Sequence, residues 1–537
     1  MNKFPTSFLN TFRFYGWVGL GLLVILLAYY PALHNGFIWD DDRYLTDNPF
    51  LADFAGLKHL WFDVRSRPQY YPLVFTSFWV EYQLWGLDPL GYHVDNIILH
   101  VLNAFILWRV LIFLDVRTAW LVAAIFALHP VHVESVAWIT ERKNVLSGFF
   151  YLLSLYTFLR FSFPGQSVFS VADSLRKRST LIYSVSLFLF VCALLSKTVA
   201  CTLPAVILLI FWWKQNHLGL KIIQPTLPFF IIGFGFANLT RWLEKVNVGA
   251  LGPEWDFSFW DRLLIAGRAL WFYIGKLVWP FPIIFTYPRW DIDDSVGWQY
   301  LFPALFLLFI FVLWAARNKI GRGPLTAILF FAGSLFPALG FFNIYPMRFS
   351  FVADHFQYLA SIGILILIVA GITRLLGNQA RIASLLLLLF LGHLTWQQIP
   401  IYKNVFTLWT DTVQKNPNAW MAHYNLANIF IAKQKTNEAV AHYREAMRIK
   451  PEFALAPYNL GNTLLAQQKT GEAILQYRTT LRLKPNFVDA YNNLGVALLT
   501  EGNIQEAIHH FRKALELKPS YADAQNNLAI ALSQVKK

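Results

Sequence analysis

The chain has 537 residues, 56% of them hydrophobic and only 14% charged, whereas soluble domains carry roughly 25% charged residues. That composition excludes an ordinary soluble globular protein, and aromatics at 17% suit a chain with aromatic belts at two water interfaces. The net charge of +14 would argue for nucleic acid only if it were concentrated in a soluble region, and it is not.

Apolar stretches able to cross about 30 Å of hydrocarbon lie near 15–33, 95–114, 119–138, 145–163, 180–196, 199–213, 223–240, 300–315, 325–342, 357–373 and 382–398. These eleven segments predict a mostly α, polytopic transmembrane bundle over residues 1–400. The first reads as a retained signal anchor, because no small-residue cleavage site follows it. The stretch 262–280 contains Arg268 and Lys276, each costing a lipid-facing span roughly 2.5–3.5 kcal/mol, so an interfacial or re-entrant helix is expected there. Cys192 and Cys201 lie in apolar stretches and offer no disulfide framework.

With a cytoplasmic N-terminus, the inner loops are 1–14, 109–118, 160–179, 214–221, 317–323 and 374–381. They hold fifteen Lys and Arg against two acidic residues, Asp115 and Asp173. Positive charge inside accounts for much of the basic balance without nucleic acid. The odd span count places residues 401–537 outside the cytoplasm.

That last quarter holds 26 of the 76 formal charges. Pro417, Pro451, Pro485 and Pro519 recur every 34 residues, as do Leu426, Leu460, Leu494 and Leu528, each followed by Ala427, Gly461, Gly495 or Ala529. Tyr443, Tyr477 and Phe511 keep the same step. A 34-residue period with small residues at helix crossings is the tetratricopeptide (TPR) signature. Three full repeats at 417–519 with flanking helices predict an α-solenoid that binds a protein or peptide, or serves as an assembly scaffold. Asn425, Asn459, Asn492, Asn493, Asn526 and Asn527 are polar enough for backbone contact with a bound peptide.

Candidate chemistry gathers on the outer side. The first outer loop, 34–92, opens with Asp40, Asp41 and Asp42, and three successive carboxylates raise one another's pKa toward that of a useful base; a solvated acidic cap is the bland alternative. The second cluster runs from His129 and His132 through Glu134 to Arg142 and Lys143. The two histidines are three apart, but Pro130 interrupts the helix and no complete ligand set surrounds them, so no metal is assigned and a divalent cation stays an open alternative. His93 and His100 share a helical face seven apart. Arg268 and Arg289 form a further group, and Arg348 with Asp354 and His355 another; basic residues amid Trp and Phe suit a phosphate headgroup or ordinary headgroup anchoring.

Phe37–Pro49 with its acidic pair, Tyr92-His93 with Asn96 and His100, the run His129-Pro-Val-His-Val-Glu134, Ser196-Lys197 and the tetratricopeptide tail together resemble the transmembrane and tetratricopeptide repeat-containing protein O-mannosyltransferases and their bacterial relatives. The resemblance covers nearly the whole chain. It implies a GT-C-like membrane glycosyltransferase domain at 1–400 and a TPR domain at 401–537. It implies transfer of a mannose-like sugar from a polyprenyl-phosphate-linked donor to Ser/Thr hydroxyls of a protein acceptor held by the TPR domain, with the bilayer as further partner and no nucleic acid. Asp40 and Asp41 match the acidic pair, and His129, His132, Arg142, Lys143, Lys197, Arg268, Arg289 and Arg348 are candidates to hold the donor phosphate. His93, His100, Glu134, Asp354 and His355 are further pocket candidates. The expected location is a bacterial inner membrane with the TPR domain on the periplasmic side. A non-enzymatic TPR scaffold of the cell envelope is the alternative. A lipid-linked-sugar transporter is disfavoured by inner loops almost without acidic or His residues.

Overall fold

The computed structural model describes residues 19–163, 175–215 and 218–535, with the backbone alone at 175–179. The inner loop 1–14 lies outside these residues, as do parts of 160–179 and 214–221 and the start of the first apolar segment. Every regular element among the described residues is helical. Two compact units result, residues 1–407 and 408–537.

In the first unit, six helices are long and apolar enough to cross a membrane: Pro89–Phe113, Ile139–Ser162, Thr198–Gln215, Leu220–Val248, Gly297–Ile320 and Ser361–Lys403. Ala119–Leu128 and Pro130–Ala137, bent by 55°, make a seventh if they form one span. The bend has a local cause. Proline excludes α geometry from the residue before it, and His129 duly takes extended backbone at ψ 125°. Six or seven is fewer than the eleven expected from hydropathy. Gly323–Ala338 is apolar but 16 residues long, the segments at 15–33 and 180–196 lie in helices whose starts are not fully described, and Ser361–Lys403 carries two of the expected segments in one 43-residue run. At 1.5 Å per residue that run is about twice the hydrocarbon thickness. Phe259–Val278, the stretch with Arg268 and Lys276, is a helix of 20 residues opened by a Ser258–Asp261 capping box, and it is not among the spans.

Without water to drive helices together, their packing depends on small residues and on polar groups that find each other. A Cβ on Gly363 would meet the Ala327 carbonyl oxygen at 2.3 Å, and one on Gly267 would meet Pro303 at 2.6 Å. Ser154 donates to the Ser186 carbonyl at 2.7 Å, and Ser186 returns a bond to the Ser154 carbonyl at 2.8 Å.

In the second unit, helices Trp420–Ala432, Leu455–Ala466 and Val488–Thr500 alternate with Thr436–Ile449, Thr470–Leu483 and Ile504–Leu517, and Ala522–Val535 closes the array. The second helices begin 34 residues apart. Gly461 lies under Tyr477 and Gly495 under Phe511, close enough that an added Cβ would approach the rings to 2.7 and 2.6 Å. Ala529, in phase with these glycines on helix Ala522–Val535, is exposed. Much of the asparagine set is engaged inside the solenoid: Asn459 donates to the Tyr424 hydroxyl at 3.0 Å, Asn493 to the Tyr458 hydroxyl at 3.1 Å, and Asn527 to Asn492 at 2.9 Å. Asn425 bonds the Met421 carbonyl of its own helix. Asn459, Asn493 and Asn527 therefore join repeat to repeat.

Gly495→Leu should therefore destabilise the full-length protein by about 1–3 kcal/mol, as overpacking does. It should lower the unfolding midpoint of the solenoid followed by circular dichroism, whereas Gly471→Ala, with open space around its Cβ, should not.

Candidate functional site

The acidic loop separates its first two carboxylates by geometry. Asp41 is fully buried. One of its oxygens accepts the Ile38 amide at 2.8 Å, and the other accepts the Thr140 amide at 2.9 Å together with the Thr140 hydroxyl. Burial pushes its pKa up to about 7 against these three donors, with Asp40 adding to the rise. The turn so closed puts Trp39 at φ +48°, a conformation a bulky side chain rarely adopts. Asp40 is half-buried and its carboxylate makes no hydrogen bond to the described residues. Burial raises its pKa too, and the charges of Lys143 and Arg43 oppose the rise. Asp42 is exposed at the start of a π turn, Asp42–Thr46.

Beyond this loop a chain of buried charge crosses several helices. Glu141, wholly buried, pairs with Lys143 at 2.9 Å and with Lys197 at 3.4 Å. Lys197 also donates to the Asn144 amide oxygen at 2.7 Å, while the Asn144 nitrogen reaches Glu141, Ser135 and the His355 carbonyl. Lys143 lies 5.6 Å from the centres of both the Tyr44 and Trp138 rings. On the far side of Trp138, Glu134 accepts the His355 backbone amide and its Nδ1, both at 3.0 Å. Asp354 accepts the Tyr287 hydroxyl at 2.7 Å, and burial, followed by the neighbouring Glu134, pushes its pKa well up. Asn144 also borders a small cavity of about 10 Å³, lined further by Ser147, Thr202, Ser334 and Tyr358 and about large enough for one water.

Several predicted ligands are engaged elsewhere. Arg142 directs its donors to Asn96 at 2.5 Å, Ser77 at 3.2 Å, Glu81 at 2.7 Å and the Tyr92 carbonyl at 3.0 Å, and is 1% exposed. It ties helix Pro72–Trp85 to helix Pro89–Phe113. His129 donates to the Leu277 carbonyl at 3.1 Å and His132 to the Phe126 carbonyl at 2.7 Å. His100 lies between the Ala127 carbonyl at 3.1 Å and the Tyr358 hydroxyl at 2.8 Å, and His93 meets the Asn35 carbonyl at 3.1 Å. His100, His129 and His132 have both ring nitrogens occupied by protein groups, whereas His93 uses Nε2 and leaves its buried Nδ1 without a hydrogen bond among the described residues. No group of three or more His, Cys, Asp and Glu suited to a metal occurs among the described residues.

Arg268, Arg289 and Arg348 gather in a separate aromatic patch. Arg268 lies 4.6 Å from the Trp290 ring centre, Arg289 4.9 Å from that of Phe351, and those two rings are 6.1 Å apart. Arg348 pairs with Glu254 at 3.4 Å and donates to the Tyr345 hydroxyl at 3.0 Å. A relay joins this patch to the acidic loop: the Tyr345 amide donates to Glu244 at 3.1 Å, Gln69 to Glu244 at 2.8 Å, and the Tyr44 hydroxyl to Gln69 at 3.2 Å. Glu244 starts the second π turn, Glu244–Val248, so the relay connects two irregular turns of a kind that often marks functional positions.

Sequence reasoning passed over Gln69 and Glu244, and it gave no separate role to Tyr44, Glu141 and Tyr287, which lie within its candidate runs. Glu141 left a usable signal, since an acidic residue opening an apolar span needs counter-ions. Gln69 left none.

Two tetratricopeptide family models match the C-terminal unit, one described as "Tetratricopeptide repeat" over 458–522 and 497–534, the other as "TPR repeat" over 427–468. The chain is 26% identical over 487 residues to Protein O-mannosyl-transferase TMTC1 of Homo sapiens, covering 80% of this chain and 54% of that protein. It is 25% identical over 466 residues to Protein O-mannosyl-transferase F38B6.6 of Caenorhabditis elegans, covering 81% of this chain and 64% of that protein. It thus spans between about half and two thirds of these relatives' length. Among solved structures, the first TPR of Spaghetti (RPAP3) bound to an HSP90 peptide aligns at 21% identity with a TM-score of 0.22, covering 22% of this chain and 94% of that one. Across four fifths of its length the chain is similar to protein O-mannosyl-transferases, and its C-terminal unit matches tetratricopeptide repeats.

Proposed function

We propose that the chain is a membrane glycosyltransferase that moves a mannose-like sugar from a polyprenyl-phosphate donor to Ser/Thr hydroxyls of a protein on the non-cytoplasmic side. The carrying observation is the contrast within the acidic pair: Asp41 is held by three donors, while Asp40 is half-buried, unbonded and acted on by the charge of Lys143. Asp40 is the base in this reading and accepts the acceptor hydroxyl's proton as the oxygen attacks the anomeric carbon. Asp41 is a positioning residue that shapes the turn. Lys143 and Lys197, partly exposed beside Glu141, attract the donor phosphate, and the Arg268, Arg289 and Arg348 patch anchors the lipid headgroup. The TPR unit binds the acceptor or a partner protein. His129, His132 and Arg142 support the site without touching phosphate, because their donors are already occupied.

Purified protein given a polyprenyl-phosphate mannose and a Ser/Thr peptide should transfer the sugar, and Asp40→Asn should lower kcat about 100- to 10 000-fold with an unchanged melting temperature. Wild-type activity with Asp40→Asn would overturn the reading. Since Asp40 works deprotonated and its pKa is raised, the acid limb of the rate profile should fall at a pH above the ordinary carboxylate value of 3.8.

Asp41→Asn should behave differently and cost about 1–3 kcal/mol of stability, because an amide cannot accept from all three donors. The folded chain holds the Asp41 proton up to about pH 7, whereas an unfolded chain releases it near 3.8. Its contribution to stability is therefore fully present below pH 3.8 and is lost as pH rises toward 7. Melting curves across that window should show this downward component in wild type and its absence in Asp41→Asn.

A further inference from the structure

His355 differs from the other four histidines of the membrane unit's polar interior. Both carboxylate oxygens of Glu134 hold it, one on the backbone amide and one on Nδ1, each at 3.0 Å. A carboxylate on Nδ1 fixes the ring's orientation and leaves Nε2 as the nitrogen available to a ligand. His93, His100, His129 and His132 are at most 1% exposed, whereas His355 is 9% exposed and its Nε2 makes no hydrogen bond to the described residues. The ring stands 6.1 Å from Trp138, the indole that Lys143 approaches at 5.6 Å. The charged groups around it are Glu134 and Glu141, with Lys143 and Lys197 paired to Glu141, and the adjoining Asp354 with Lys276 acting on it. Asp40 and His355 thus lie at two ends of one cluster, each acted on by the charge of Glu141.

We propose that Glu134 and His355 form a carboxylate–imidazole dyad whose Nε2–H is the acid for the departing lipid phosphate. This rests on the glycosyl-transfer reading above and assigns the second half of that reaction. The bond from the acceptor oxygen to the anomeric carbon forms, and the bond from that carbon to the phosphate oxygen breaks. Asp40 takes the hydroxyl proton. The leaving oxygen takes the electron pair and the proton from Nε2, which yields polyprenyl phosphate monoanion and neutral His355. Exchange of one proton with water returns both residues to their starting state. His355 is the catalytic residue of the dyad, and Glu134 is a positioning residue that holds the ring through Nδ1 and the backbone amide.

The test is transfer from polyprenyl-phosphate mannose, and binding of polyprenyl phosphate, measured between pH 5 and 9 for the full-length wild type, His355→Gln and Glu134→Gln. Wild-type kcat should fall on the alkaline side. His355→Gln should lose about 100-fold in kcat and that limb with it, and Glu134→Gln should lower kcat about 10-fold while changing KM little. A folded His355→Gln that keeps rate and limb overturns the proposal. If His355→Gln does not fold, an unchanged kcat in Glu134→Gln overturns it. Should the wild type bind polyprenyl phosphate but transfer nothing, the glycosyl-transfer reading fails alone, and the phosphate contact is judged by binding. Affinity that weakens above neutrality in wild type and not in His355→Gln supports the contact; affinity independent of pH in wild type overturns it.

Discussion

A single carboxylate organises the polar interior of the membrane unit. Glu141 has no exposed surface, and a buried charge without partners is so unfavourable that its surroundings must supply cations and donors. Two are local, Lys143 two residues on and the Asn144 amide three on, and the third, Lys197, comes from the break between two later helices. Removing one partner of such a group typically costs about 3–5 kcal/mol, because the remaining charge stays buried. The acidic loop, the Pro130 bend and the 354–358 segment are positioned against this cluster, through Thr140 on Asp41, Asn144 on the His355 carbonyl and Glu134 on His355.

Two kinds of polar group follow from this. One kind is consumed by the protein and makes the bundle specific. Arg142 has four partners on two helices, and His100, His129 and His132 each close on a backbone carbonyl that helix breaks leave open. The other kind retains some exposure and an unused atom, as Asp40 and the Nε2 of His355 do. A polar side chain in a low-dielectric setting that still has a free lone pair or proton is costly unless a ligand uses it. That asymmetry, more than residue type, separates framework from chemistry here.

Legibility in the sequence differed sharply between the units. The solenoid follows from its 34-residue period, since each repeat packs only on its neighbours and the pattern is local; Gly461 and Gly495 already marked the crossings later seen under Tyr477 and Phe511. Hydropathy located the apolar segments of the bundle correctly. It could not say which segments bend or run together, because that depends on the break at Pro130 and on turns such as the one at Gly377, where φ is +49°. The acidic loop and the run from His129 to Lys143 were found as candidate regions, but the roles within them were not.

The chain's composition and periodicity thus define a helical membrane unit joined to a TPR solenoid, and they point to Asp40, Asp41 and the His129–Lys143 run as places for chemistry. These are properties of neighbours along the chain. Which of those residues stay available for a substrate depends on partners far away in sequence: Thr140 lies 99 residues from Asp41, Tyr358 258 from His100, and Glu134 221 from His355. Spacing carries no trace of such pairings, because they form when unrelated helix ends meet in the folded bundle and each buried polar atom takes the partner within reach.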